Sequence, residues 1–212
     1  MPTDPPTDTV WSWVAEERVA LASRLDALDA DAWEQPSLCA GWRVRDVVAH
    51  LVWLAEASRP SVVRDVAREL RPPETAIARV ARRLGDEEPR ALVARLRAAA
   101  DGRFVVPGLP PAYALGEVLA HGSDALRGAG APTRPADERT RVAAEAYRRT
   151  GLVFGVRRAG RARLTASDAG WSVGPEDGPA ASGPGEAVLL ALAGRPEGTA
   201  ELDGPGTELL AP

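Results

Sequence analysis

From Tyr113 to Arg127 the chain places apolar or small residues on almost every side of a helix. Leu115, Leu119, Gly122 and Leu126 form one face, and Ala114, Val118 and Ala125 lie near the other. A helix that is apolar all round is buried, so other elements must surround it. This helix nevertheless carries Glu117 and His121, four residues apart and therefore one turn apart on a common face. A buried carboxylate needs a proton or a partner.

The preceding sequence supplies the surrounding helices. Trp11, Val14, Leu21, Leu25 and Leu28 recur at helical spacing and predict a helix from Val10 to Leu28, with Asp31-Ala32-Trp33 in its exit. Gln35 to Trp42 reads as a loop from its Pro and Gly. Val44, Val47, Val48, Leu51 and Leu54 line a second helix, which runs to about Arg59, where Pro60 intervenes, and resumes from Ser61 to Leu70. Pro72-Pro73 breaks the chain, and helical period continues over Glu74–Leu84 and Pro89–Ala100. Residues 1–130 are expected to form a four-helix bundle.

Composition changes after Gly128. Pro132-Thr133-Arg134-Pro135 reads as a linker, and Glu138 to Arg149 as a helix. Short β-like runs follow at Leu152–Val156, Arg163–Ala166 and Trp171–Val173. Gly174 to Gly185 reads as a surface loop, Glu186 to Ala193 as a short apolar helix, and Thr199 to Leu202 as a strand. Residues 131–212 are thus expected to be a second, α+β domain, and the chain as a whole α+β.

Charge and residue usage narrow the chemistry. All 26 basic residues are Arg, set against 30 acids, with no run of like charge, so no nucleic-acid footprint is expected. The absence of Lys excludes a Schiff-base lysine. The single Cys39 excludes an internal disulfide and any Cys-rich zinc site. Met1 to Asp8 has no signal-peptide character and no apolar run is long enough to span a membrane, so a cytoplasmic protein is expected.

Only two histidines are present, His50 and His121, and both fall on predicted interior faces. With Glu117 they would make a three-ligand divalent metal site. Two nitrogens and one oxygen favour zinc, with the fourth position open to water or substrate. The alternative is a pair of satisfied core histidines and a simple helical Glu–His contact; spacing alone does not bring His50 to the other two. Cys39 reads better as a small loop residue packed by Trp42 than as a ligand or nucleophile. Trp33, Trp42 and Trp53 read as packing residues. Asp46 sits in a first helical turn and suits a cap. Asp124, three residues beyond His121, would either orient that histidine or face solvent.

The run Trp33 to Leu51, with Pro36-Ser37-Leu38-Cys39, Gly41-Trp42, Val44, Asp46-Val47 and Ala49-His50-Leu51, resembles the signature of the mycothiol-dependent maleylpyruvate isomerase family. That family is actinobacterial and belongs to the DinB-like metal-binding superfamily. Its second motif is matched by Glu117, His121-Gly122 and Asp124. Gly183-Pro184 and Leu189 to Arg195 loosely resemble the family's C-terminal domain, which is similar to sterol-carrier proteins.

The resemblance implies an up-down-down-up bundle with zinc on His50, Glu117 and His121. It also implies mycothiol as thiol cosubstrate, adding to or isomerising a small electrophile. It places the family's C-terminal arginine at Arg195, for catalysis and anion binding. The local reading of Arg195 is a cation at the end of the preceding helix. Some family members are S-transferases and others are known only as metal-binding proteins. A non-catalytic metal-binding or apolar-ligand-binding protein is therefore the competing expectation, and a fourth ligand from Cys39 would favour it. A metal-free helical protein is the third. The oligomeric state stays open between monomer and homodimer.

Overall fold

The computed structural model describes residues 4–69, 71–150 and 158–210. Ten helices and three strands follow one another in these residues: α1 (Thr7–Leu25), α2 (Ala30–Glu34), α3 (Val44–Glu56), α4 (Arg59–Arg68), α5 (Pro73–Gly85), α6 (Pro89–Ala98), α7 (Pro111–Gly128), α8 (Glu138–Arg149), β1 (Arg163–Ala166), β2 (Trp171–Val173), β3 (Ala180–Gly183), α9 (Gly185–Leu192) and α10 (Pro196–Ala200). The fold is α+β, as expected. Two compact units divide it. One comprises Pro6–Pro107 with His121–Thr133; the other holds residues 108–120 and the chain from 134 onward. Helix α7 contributes to both. None of the described helices is long and apolar enough to cross a membrane.

In the first unit helices α1, α2, α3, α6 and α7 share one apolar core, with Trp33 contributed by α2. Leu21 and Leu25 of α1, Val47, Val48 and Leu51 of α3, Leu92 and Leu96 of α6, and Ala125 and Leu126 of α7 are all buried together. Each fully buried leucine of this kind contributes about 1.5–3 kcal/mol. The local stops are chemical. Asp46 holds the start of α3, its carboxylate accepting from the Arg43 backbone N–H at 2.9 Å, which is the cap role expected of Asp46. Ser58 caps α4 and accepts from the Ser61 N–H, so α3 ends at Glu56 and Pro60 sits inside the first turn of α4 rather than between two helices. Asp29 accepts from the Ala32 N–H and turns the expected exit around Trp33 into the short α2. Helix α7 closes with Gly130 at φ 66° and a bond from the Ala131 N–H to the Leu126 carbonyl.

The second unit holds a three-stranded sheet in the order β2-β1-β3. β1 pairs antiparallel with β2 (Leu164 opposite Val173) and parallel with β3 (Leu164 opposite Ala181). Helix α9 is buried on nearly every side and packs against α8, α10 and β1. Two expectations are corrected here. Ala180–Gly183 is strand β3, not surface loop; its small residues lack the usual strand signature because the site is tight, and a Cβ on Gly183 would lie 2.4 Å from the Glu201 carbonyl oxygen. Thr199–Leu202 is not a strand. Pro196 opens α10 over Thr199, and beyond it only Asp203 pairs, bridging to Ser182. The expected run Leu152–Val156 lies outside the described residues.

The loop between α2 and α3 is seated on α7 at Gly128. A Cβ there would meet the Pro36 carbonyl oxygen at 2.6 Å and the Ser37 Cα at 2.8 Å, both backbone atoms that cannot swing aside. Gly128→Ala is therefore expected to destabilise the fold by about 1–3 kcal/mol, as other overpacking changes do. Thermal unfolding beside the parent protein checks this; an unchanged midpoint contradicts the close seating.

Candidate metal centre

The loop is closed on itself before it meets α7. The Ser37 N–H donates to the Trp42 carbonyl (2.9 Å), the Trp42 N–H to the Cys39 carbonyl (3.0 Å), and Pro36 bridges to Arg43. The Ser37 hydroxyl accepts from the Cys39 N–H at 3.1 Å, and Gly41 takes the left-handed conformation (φ 75°) that turns the chain. The Leu38 N–H reaches the Asp124 carbonyl of α7 at 3.4 Å. This closure fixes Cys39 and Trp42 beside the two histidines.

His50 is buried on α3, and its ring lies 4.9 Å from that of His121, edge to face. Trp42 packs on both: parallel to His121 at 6.4 Å and edge-on to His50 at 5.3 Å. Trp53 lies 5.9 Å from His50. Trp42 and Trp53 thus enclose the imidazoles, a role their reading as packing residues did not foresee.

Asp124 is fully buried. Its Oδ2 lies 3.0 Å from His121 Nδ1 and accepts from the Cys39 thiol at 3.0 Å; the same thiol is 3.5 Å from Nδ1. Of the two sequence readings of Asp124, the structure has the one in which it orients His121. With Asp124 ionised the carboxylate only accepts, which puts the proton on Nδ1 and the lone pair on Nε2. Cys39 is more than loop packing, since its S–H is the second donor to Asp124.

One turn before His121, Glu117 lies with its phenol partners in the second unit. The Tyr147 hydroxyl of α8 donates to Glu117 Oε1 at 3.0 Å. Tyr113, one turn earlier on α7, also hydrogen-bonds this carboxylate. Burial first, and then the negative charge of Glu117, push both phenols well above their usual range, so both remain O–H donors. Neither tyrosine was read from the sequence as a partner of Glu117. The available signal was Gly116, a helix-interior glycine directly before Glu117.

Donor atoms of His50, Glu117 and His121 lie within 4.8 Å of one another. Two imidazole nitrogens and a carboxylate are a donor set that suits a divalent ion such as zinc, and the proton fixed on His121 Nδ1 leaves Nε2 for it. Cys39, His121 and Asp124 form a second such group, but there the donors are already engaged with one another. Arg195 stands at the junction of α9 and α10. Its Nη1 donates to the Ala193 carbonyl at 2.6 Å, which is the helix-end role, and its charge also acts on Tyr113 and Tyr147.

Residues 14–105 match the mycothiol maleylpyruvate isomerase N-terminal domain. The domain runs from α1 through α6 and includes Cys39, Trp42 and His50; Glu117, His121 and Asp124 lie beyond the matched segment. Among solved structures, the mycothiol-dependent maleylpyruvate isomerase and a histidine-to-alanine mutant of it are similar to this chain. Each superposes with a TM-score of 0.62 at 18% identity, covering 97% of this chain and 96% of its own. The likeness to the isomerase at that identity is one of fold. No curated protein matches the chain.

Asp124→Asn keeps the shape of the side chain and removes its charge. It is expected to lower divalent-metal affinity by about 10–100-fold, as loss of a partner behind a ligand histidine does. Competition with a chromophoric chelator measures this; parental affinity in a folded variant contradicts the orienting role.

Proposed function

We propose that this chain is a metal- and thiol-dependent enzyme that holds a divalent ion, zinc, on His50, Glu117 and His121. It would use a low-molecular-weight thiol, mycothiol, to isomerise or thiolate a small electrophile. The observation that carries this reading is the convergence of those three donors with His121 already oriented by Asp124. The maleylpyruvate isomerase domain over residues 14–105 and the shared fold support it.

A zinc ion with three protein ligands offers an open position at which a thiol is bound as its thiolate. The chain's own residues do the rest. Trp42 and Trp53 wall the imidazoles and limit water there. Asp124 keeps the proton of His121 on Nδ1. Arg195, at the α9–α10 junction, is the candidate for holding an anionic group of the electrophile through paired N–H donors.

Cys39 bears on the competing reading of a closed structural site. It meets His121 at the Nδ1 edge together with Asp124, and Nδ1 is the nitrogen that holds the proton. This favours three ligands with an open position over four protein ligands.

Metal analysis of the purified protein tests the reading. About one ion per chain is expected, with loss of that ion in His50→Ala and in His121→Ala; a metal-free parent protein overturns it. Given metal, turnover of electrophiles that requires mycothiol is expected, and binding of neither thiol nor electrophile leaves only the structural role. Arg195→Ala is expected to lose activity with metal content intact.

A further inference from the structure

We infer that Tyr147 and Tyr113 are positioning residues that aim the Glu117 carboxylate, so that an unligated chain already presents it as a metal donor. This rests on the metal reading above and adds to it the two groups that preorganise its only oxygen ligand.

The geometry is specific. The Tyr147 hydroxyl is 3.0 Å from Glu117 Oε1, and its ring is fully buried. The Tyr113 hydroxyl bonds to the same carboxylate, and the two rings lie 5.3 Å apart, inclined at 58°. One donor fixes an oxygen in place; two fix the plane of the carboxylate.

The sequence makes room for this at a cost. A Cβ on Gly116 would lie 2.5 Å from Tyr147 Cε1 and 2.7 Å from Cζ. Glycine inside a helix is less favourable than alanine by roughly 0.5–1 kcal/mol. Here it lets the hydroxyl-bearing edge of Tyr147 lie against α7 one residue before Glu117. Packing alone would be served by phenylalanine at 147. A hydroxyl on a fully buried ring is retained where it has a partner to hold.

The test uses Tyr147→Phe, Tyr113→Phe and the double variant, each keeping its ring. Zinc affinity is read by chelator competition, and the ligand field by the visible d–d bands of the cobalt-loaded protein. Each single variant is expected to lose about 10-fold in affinity and the double up to about 100-fold, with shifted or weakened cobalt bands. The melting temperature of the metal-free protein is expected to fall by the few degrees that loss of one buried hydrogen bond brings, and the increment on adding metal to shrink as well. Parental zinc affinity and parental cobalt bands in the variants overturn the proposal while leaving the metal reading in place. Failure of the parent protein to bind either metal overturns the metal reading itself. If Tyr147→Phe does not fold, Tyr113→Phe decides by the same readouts.

Discussion

Helix α7 is buried along most of its length yet carries Glu117, His121 and Asp124, and each of these must find partners inside the protein. Glu117 and His121 keep only part of their surface open to solvent and Asp124 none, and an unmatched charge in such a place costs more than a hydrogen bond returns. Much of the surrounding structure can be understood as meeting that demand. The loop after α2 folds back to offer the Cys39 thiol to Asp124. Asp124 shares its remaining capacity with His121. Glu117 takes the hydroxyls of Tyr147 and Tyr113. His50 arrives from α3 with its ring edge-on to His121.

The helical half was legible because its apolar spacing is regular and its breaks are marked by Pro, Gly and capping residues. Periodicity put His50, Glu117 and His121 on interior faces, and the structure brings their donor atoms together. The two aromatic partners of the histidines were seen as residues but not as neighbours of the site. Trp42 reaches His121 only because the loop closes through Ser37 and turns at Gly41, and such closure leaves no period in the sequence. Tyr147 lies on α8, 30 residues beyond Glu117 along the chain. No spacing rule links residues that far apart.

The α+β half was harder for a different reason. Strand β3 is Ala180-Ala181-Ser182-Gly183, with no β-branched or aromatic residue among them. Its identity is set by crowding: the backbone of Glu201 and the side chain of Leu202 leave no space at Gly183. Thr199 and Leu202 carry the reverse lesson. Their strand propensity is overridden by Pro196, which starts α10 and leaves only Asp203 to pair with the sheet. Propensity reports what a residue favours on an open surface, whereas these segments are decided by what lies against them.

Arg195 shows how the two kinds of reading combine. Its helix-end role was legible locally, and the bond to the Ala193 carbonyl has it. Its charge also acts on Tyr113 and Tyr147, the same two phenols that hold Glu117. The local bond anchors the side chain at the end of α9. An arginine tethered at one nitrogen loses less freedom on meeting an anion than one free in solvent, so the structural role and the proposed anion-holding role reinforce each other. The Tyr147 hydroxyl donates a hydrogen bond to Glu117, and the charge of Arg195 acts on that same phenol.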